Sequence, residues 1–328
     1  MKEILNTLFE YKTLTEEQAK TVLMNLAGGK YNAAQMASFL TVYMMRSITV
    51  EELSGFRKAM MELCVPIDLS EFDAIDLCGT GGDGKNTFNI STLSSFVVAG
   101  AGVKVAKHGN NGVSSACGSS NLLAHLGYEF TNDESTLKKQ IDETGICFLH
   151  APLFHPAMKN VAPVRKDLGV KTFFNMLGPM VNPASPSKQL TGVFSLELAR
   201  LYAYLFQQTD RDFVVLHALD GYDEISLTGD FKAITNVGES IFSPKDLGLE
   251  KVSADQIYGG ETVESSAKIF IDILEGKGTK AQQEVVLANS AMALKCADKT
   301  LSAEDAVGLA KESLESGKAY SVLKKLVA

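Results

Sequence analysis

Residues 74–84 read AIDLCGTGGDG, a short apolar run followed directly by a glycine-rich segment. The apolar run predicts a buried strand, and the glycines predict a tight turn at its carboxyl end. Four further apolar runs follow at residues 103–106, 146–149, 190–194 and 213–216. Helical patterns are found among these runs at residues 91–101, 120–126, 134–144 and 195–208. Strands alternating with helices predict an α/β protein whose central sheet is mostly parallel and covered on both faces.

The regions on either side of this alternating pattern are predicted to be mainly helical. Before it, Thr15 and Gln18 have the spacing of a capping box, which marks the start of a helix. Thr49 and Glu52 repeat that spacing further along. After it, a hairpin around residues 236–238 is followed by helical patterns at 262–275, 280–296, 303–316 and 318–326. The sequence therefore predicts a small all-helical N-terminal lobe and a larger α/β domain.

The composition limits the classes of partner. The 328 residues carry 31 Lys and Arg against 39 Asp and Glu, a net charge of −8. Nucleic-acid coats and membrane-surface proteins depend on a broad basic field, so neither class fits. No apolar run approaches the ~20 residues that span a bilayer, and the N-terminus does not begin like a signal peptide. Five scattered cysteines without a CxxC pair predict reduced thiols in the cytosol, not disulfides or a zinc site.

The glycine-rich segment at residues 79–84 matches G-x-G-x-x-G, the pattern of dinucleotide-binding turns. That pattern requires a helix directly after the glycines and an acidic residue after the next strand. Here the helix is predicted to begin only at Ser91, and the next strand ends in Ala106, Lys107 and His108 instead of an acidic residue, so no dinucleotide site is expected. Glycine N–H groups still predict an anion site, and residues 89–92 predict a second one at a helix N-terminus. A tight turn with an ordinary Ser/Thr cap is the alternative.

Three further groups of residues could carry chemistry. Residues 107–120 join a lysine and a histidine to many Ser, Gly and Asn residues, which suits an anionic sugar phosphate; the alternative is a solvated loop. Asp223 and Glu224 alone are typical of solvated surface, but beside a bound pyrophosphate they would hold Mg²⁺. Arg165 lies at a predicted helix end. Its positive charge would either interact favourably with the helix dipole there or bind a carboxylate substrate through two hydrogen bonds.

Seven motifs in a fixed order carry a family resemblance. They are DLCGTGGDG at 76–84, TFNIST at 87–92, KHGN at 107–110, HPAM at 155–158, APVR at 162–165, FNMLGP at 174–179 and DEIS at 223–226. With these motifs the chain resembles the anthranilate phosphoribosyltransferases, from its N-terminal helices to residues 317–319. The resemblance implies an enzyme of tryptophan biosynthesis that joins anthranilate to 5-phosphoribosyl 1-pyrophosphate (PRPP) and releases pyrophosphate.

The resemblance also implies the fold of the pyrimidine nucleoside phosphorylases. The helical lobe would comprise residues 1–72, joined by roughly 163–186, and the α/β phosphoribosyl-binding domain would comprise 73–162 and 187–328. A homodimer formed through the helical lobe is expected, in the cytoplasm and without a nucleic-acid or membrane partner.

Carried over by position, the resemblance implies three groups of site residues. PRPP would be bound by Gly79, Gly82, Asp83, Thr87, Asn89, Ile90, Ser91, Thr92, Lys107, His108, Gly109, Asn110, Asn111, Gly112, Val113, Ser114, Ser115 and Ser119. Anthranilate would be bound by Gly79, His108, Asn110, His155, Arg165 and Pro179. Two Mg²⁺ ions per subunit would be held by Ser91, Asp223 and Glu224. No residue is assigned as an acid or base, because catalysis is expected to be electrostatic and by positioning.

The chain departs from the family pattern at three positions, and two other functions remain as alternatives. Asn111, Cys117 and Asn121 stand where the family often has Arg, Ser and Asp, so Cys117 and Asn121 receive no role. A pyrimidine nucleoside phosphorylase would use the same scaffold, but residues 107–110 with Arg165 fit the transferase better. A non-enzymatic nucleic-acid-binding relative would carry a basic cleft and would lack the glycine loop or the acid pair, whereas this acidic chain has both.

Overall fold

The computed structural model describes residues 1–112 and 117–328, which form two compact units. The smaller unit comprises Met1–Pro66 and Ala151–Pro183, and the larger unit comprises Ile67–His150 and Ala184–Ala328. Each unit is therefore assembled from two segments that are distant in sequence. Within the described ranges, no helix is long and apolar enough to cross a membrane.

The smaller unit contains helices, while helices and strands alternate in the larger one. The chain begins with α1 (Lys2–Phe9), α2 (Glu16–Ala27), α3 (Ala33–Met45), α4 (Val50–Leu63), β1 (Ile75–Leu77), α5 (Ile90–Gly100), β2 (Val105–Gly109), α6 (Ser119–His125), α7 (Glu134–Thr144) and β3 (Ile146–His150). It continues with α8 (Ala151–Phe154), α9 (Ala162–Leu168), α10 (Phe174–Leu177), β4 (Lys188–Gly192), α11 (Leu196–Phe206), β5 (Asp212–Ala218), β6 (Phe231–Thr235) and β7 (Gly238–Phe242). It closes with α12 (Val263–Leu274), α13 (Lys280–Ala297), α14 (Ala303–Glu315) and α15 (Lys318–Leu326).

The helix starts of the smaller unit follow the predicted capping boxes. Thr15 accepts a hydrogen bond from the N–H of Gln18 at the start of α2, and Thr49 caps α4 in the same way. Aromatic side chains fill the space between the helices, because Phe56 of α4 stacks on Phe173 with ring centroids 4.4 Å apart. The second segment of the unit thereby packs into the core of the first.

The larger unit is built on a seven-stranded sheet in the order β3-β2-β1-β4-β5-β6-β7. The first five strands along the chain are parallel, as predicted, and β6 and β7 form the predicted antiparallel hairpin. Helices α5 and α13 pack on the sheet and on each other. Every helix predicted for this region is confirmed to within two residues at each end. The α/β fold class is therefore confirmed.

β2 begins two residues later than the apolar run at 103–106 and ends one residue beyond its predicted end. The strand was expected to end in Ala106, Lys107 and His108, and it extends to Gly109 in parallel register with β3. Lys107 and His108 lie in the strand, as expected, and both are buried. The hydrophobicity pattern could not predict their burial, because the two polar side chains are buried through hydrogen bonds that other strands supply.

Candidate active site

Most predicted site residues of the larger unit gather at the carboxyl ends of β1, β2 and β5. The strand order reverses at β1: β2 and β3 lie on one side of β1, and β4 and β5 lie on the other. Open α/β sheets bind ligands outside the carboxyl ends of the strands at such a point. A small cavity there is lined by Gly79, Ser91, Asp223 and Glu224, among others.

The carboxylates of Asp223 and Glu224 occupy the two backbone sites that the sequence predicted for an anion. Asp223 Oδ2 accepts a hydrogen bond of 2.6 Å from the N–H of Gly81 in the glycine loop. Glu224 Oε1 accepts one of 2.8 Å from the N–H of Ser91 in the first turn of α5. Asp223 is only 7% exposed, so the alternative of a solvated surface pair was wrong. The acid pair instead ties the loop after β1 to the N-terminus of a helix.

Two glycines make room for Asp223. A Cβ atom on Gly79 would lie 2.8 Å from Asp223 Oδ2, and one on Gly192 would overlap the Asp223 carbonyl oxygen. Both approaches are closer than van der Waals contact, so any side chain at either position would displace the acidic residue. The glycine at the end of β4 therefore belongs to the site, although the sequence analysis assigned it no role.

Burial perturbs both carboxyl groups of the pair. Burial raises the pKa of Asp223 well above its ordinary value, and the nearby charges of Glu224 and Asp83 raise it further. Burial also raises the pKa of Glu224 to about 7, against the opposing effects of the Ser91 hydrogen bond and of Lys107. Since burial makes the charged form costly, the pair is suited to receive a cation.

Side chains replace the backbone ladder between β1 and β2. Ile75 pairs with Val105, but beyond that point the carboxylate of Asp76 accepts a hydrogen bond of 3.0 Å from the N–H of His108. The ammonium group of Lys107 donates to the carbonyl of Leu77. The two strands are thus joined by side chains where they approach the site, and these bonds hold Lys107 near Glu224.

Hydrogen bonds hold both ends of the loop that follows β2. The carbonyl of Asn110 accepts hydrogen bonds from the N–H of Ser120 at 3.1 Å and from Ser119 Oγ at 3.3 Å. Asn121 Oδ1 accepts from the N–H groups of Gly112 and Gly118, at 2.8 and 3.1 Å. Val113, Ser114 and Ser115, which were predicted to bind PRPP, lie outside the described residues.

The remaining residues predicted for PRPP are placed as follows. Ile90 and Thr92 are buried in α5, and Asn89 donates from Nδ2 to the carbonyl of Cys117 instead of capping that helix. The alternative of an ordinary Ser/Thr cap was therefore wrong. Thr87 forms an isolated bridge with Tyr258. Asp83 Oδ1 accepts from the N–H of Lys85 at 2.9 Å, within the glycine loop.

Sequence reasoning missed the asparagines that hold the site together. Asn289 of α13 binds both the N–H and the carbonyl of Ile225, at 3.1 and 2.8 Å, and so fixes the chain directly after the acid pair. Asn86 Nδ2 donates to the carbonyl of Gly260 at 2.9 Å and anchors the segment before α5. Asn121 was left without a role, yet it closes the loop after β2. No local signal identifies such residues, because two of these contacts cross 64 and 174 positions of sequence.

The smaller unit contains three of the residues predicted for anthranilate. Arg165 lies in the last turn of α9, with its guanidinium 5.1 Å from the ring centroid of Phe174 and Nη2 3.5 Å from Asn175 Oδ1. Burial alone lowers the pKa of Arg165, without the contribution that a carboxylate partner would make. His155 Nε2 lies 3.0 Å from the carbonyl oxygen of Val181, and Pro179 is buried two residues before that contact.

Two family models match the chain and define the class of protein to which it belongs. The model described as "Glycosyl transferase family, helical bundle domain" matches residues 2–64, and the model described as "Glycosyl transferase family, a/b domain" matches residues 71–320. Together they cover most of the chain. They correspond to an N-terminal helical segment and an α/β segment, so the class is a two-domain glycosyl transferase.

Similar proteins and solved structures identify one enzyme family within this class. The anthranilate phosphoribosyltransferase of Christiangramia forsetii is 61% identical over 326 residues, which cover 99% of this chain and 98% of the relative. The crystal structure of the Thermus thermophilus enzyme of that name matches with a TM-score of 0.91 at 34% identity, covering 98% of both chains. A Saccharomyces cerevisiae structure in complex with PRPP and Mg matches with a TM-score of 0.90 at 27% identity, covering 98% and 95%. The chain belongs to the anthranilate phosphoribosyltransferase family.

Proposed function

We propose that the protein transfers the 5-phosphoribosyl group of PRPP to the amine of anthranilate and releases pyrophosphate, in tryptophan biosynthesis. The observation that supports this most directly is the buried acid pair, held by the glycine loop and by the first turn of α5. A buried pair of carboxyl groups with raised pKa values suits a metal-bound pyrophosphate, and the close relatives carry the name of this enzyme.

Mg²⁺ fits the residues present. The N–H groups of Gly81 and Ser91 each hold one carboxylate oxygen, Asp223 Oδ2 and Glu224 Oε1, so both carboxylates are fixed in place beside the small cavity where a cation would bind. Within the described ranges no group of three or more His, Cys, Asp or Glu side chains has the arrangement to hold a metal ion. Mg²⁺ does not need one, because it typically binds one or two carboxylates together with substrate phosphates. Two ions per subunit are part of the proposal, with Asp223, Glu224 and the Ser91 hydroxyl as ligands.

The reaction requires stabilisation of the charge that develops on the sugar and on pyrophosphate more than it requires proton transfer. The amine of anthranilate is neutral at pH 7, so its lone pair attacks without a strong base, and the nitrogen releases one of its two protons to water as the new N–C1 bond forms. The bond between C1 of the ribose and pyrophosphate breaks, which leaves positive charge on the sugar and negative charge on the leaving group. When bound, Mg²⁺ stabilises the charge on the leaving pyrophosphate. Lys107 and the N–H groups of the glycine loop orient the phosphates, and this positioning lowers the entropic part of the barrier.

Arg165 is the proposed partner of the anthranilate carboxylate. Its guanidinium is half-buried and has no carboxylate of the described chain within ion-pair distance, and Phe174 limits its movement. A planar guanidinium binds a carboxylate through two parallel hydrogen bonds, which gives orientation as well as affinity. His155 and Pro179 belong to the same unit and are proposed to line the approach of anthranilate.

A homodimer formed through the smaller unit is also proposed. Large apolar side chains of that unit are exposed near α1 and α3: Phe9 is 58% exposed, Tyr11 87% and Met45 83%. Apolar side chains this exposed in one small unit are typical of an interface, and a second copy of the chain is the simplest symmetric partner. Light scattering on the purified protein measures the expected mass of two chains.

Anthranilate fluorescence provides the test of function. The chain contains no tryptophan, so the protein adds little emission of its own. With PRPP and Mg²⁺ present, we expect the fluorescence of anthranilate to fall with time, and we expect no fall when PRPP or Mg²⁺ is omitted. Unchanged anthranilate together with phosphate-dependent cleavage of a pyrimidine nucleoside would identify the phosphorylase instead.

A further inference from the structure

A histidine outside the predicted site lies beside the loop that follows β2. His150 is the last residue of β3 and pairs in parallel register with Gly109. Its Nδ1 lies 2.8 Å from the hydroxyl oxygen of Ser120. Its ring stacks on Phe130, with centroids 4.4 Å apart and planes inclined by 25°. The stacking and the hydrogen bond together determine the position of the imidazole.

Ser120 connects this imidazole to Asn110. The side chain of Ser120 is fully buried in the first turn of α6, with His150 as its hydrogen-bond partner. The N–H of the same residue donates to the carbonyl of Asn110, and Ser119 Oγ donates to that carbonyl as well. The first turn of α6 is thus attached to the end of β3 through His150, and the backbone of Asn110 is attached to that turn.

We propose that His150 is a positioning residue that, through Ser120, holds Asn110 in the conformation that binds substrate. The inference rests on the proposed function, and the family resemblance implies that Asn110 contacts both PRPP and anthranilate. The contact exists in the free protein, so it prepares the loop for binding and does not take part in the chemical step. We therefore expect its loss to change KM more than kcat.

The contact depends on the charge of the ring. A neutral imidazole can accept the Ser120 hydrogen at Nδ1, whereas a protonated ring only donates and forces that hydroxyl to turn. Burial lowers the pKa of His150, so the ring is neutral at pH 7. Burial is the only cause of the lowered pKa, and no charged group of a neighbouring element contributes to it.

Two substitutions remove the contact from either side. His150→Phe retains an aromatic ring on Phe130 and removes Nδ1, and Ser120→Ala removes the hydroxyl. Each should raise KM for both substrates about three- to tenfold, the effect of one lost hydrogen bond, with kcat within about twofold. The double variant should equal the single ones, because all three lack the same contact. His125→Phe, at an exposed position on α6, is the matched control and should leave both KM values unchanged.

Two more measurements separate positioning from simple packing. The ratio of the His150→Phe KM to the wild-type KM should fall toward one as the pH drops below the lowered pKa of His150, because protonation then weakens the wild-type contact too. Amide exchange of Asn111 and Gly112, measured without substrate, should be faster in both variants. That measurement stands even if the wild-type protein has no transferase activity, which would refute only the proposed function. Unchanged exchange, or additive effects in the double variant, would overturn the role of His150.

Discussion

Replacing Glu224 by glutamine tests the buried acid pair. In the metal-free protein, burial raises the pKa of Glu224 to about 7 from an ordinary value of 4.5. The folded protein therefore holds this proton more tightly than the unfolded chain does. The resulting stabilisation is complete below about pH 4.5 and is lost as the pH rises through about 7. The difference between the two pKa values corresponds to about 3 kcal/mol of unfolding free energy.

Urea unfolding followed by circular dichroism measures this effect. With a chelator present, the wild-type protein should lose about 3 kcal/mol more between pH 4.5 and pH 8 than Glu224→Gln, whose amide does not titrate. Mg²⁺ should restore the stability of the wild-type protein at pH 8 and should have less effect on the variant. Glu129→Gln changes an exposed carboxylate in the same way and should behave like the wild type. An equal pH dependence in wild type and Glu224→Gln would refute the reasoning.

Three other substitutions give separate tests. Arg165→Ala should raise KM for anthranilate about 10- to 100-fold, as expected for a charge-assisted hydrogen bond, and should leave KM for PRPP within about twofold; equal effects in steady-state kinetics would contradict its role. Gly192→Ala places a Cβ atom on the carbonyl oxygen of Asp223, so activity should fall at least about tenfold and need more Mg²⁺; an unchanged Mg²⁺ titration would argue against this. Glu52→Gln breaks the ion pair of the fully buried Glu52 with Arg46, 2.5 Å apart, and should cost about 3 kcal/mol in urea unfolding; a loss below about 1 kcal/mol would show that the pair matters little.

The predictions that the structure confirmed depend on interactions between neighbours in the chain. The capping box of Thr15 and Gln18 spans four residues, and the turn at 236–237 joins two adjacent strands. The helices of the larger unit were predicted to within two residues because their apolar faces repeat every three to four positions. Each of these signals is complete within a short window of sequence.

The errors occurred where distant parts of the chain meet. Lys107 and His108 were expected at the end of β2, but their burial was not, because a lysine and a histidine are poor core residues by sequence alone. The acid pair alone was typical of a solvated surface, and Asn121 had no predicted role. For β2 and the acid pair, a hydrogen-bond partner far away in sequence makes the polar group acceptable in the interior, whereas Asn121 is partly exposed and bonds to residues nine and three positions away.

The sequence by itself determined the α/β class, the order of elements and the chemical groups available to the site. These properties follow from periodicity, caps and glycines, which act over a few residues. Only the tertiary structure decided that Asp223 is buried and Glu224 partly buried, that they bind N–H groups 142 and 133 positions earlier, and that desolvation raises the pKa of both. The physical reason is that the cost of a charge depends on all the atoms around it, and only the folded chain brings those atoms together.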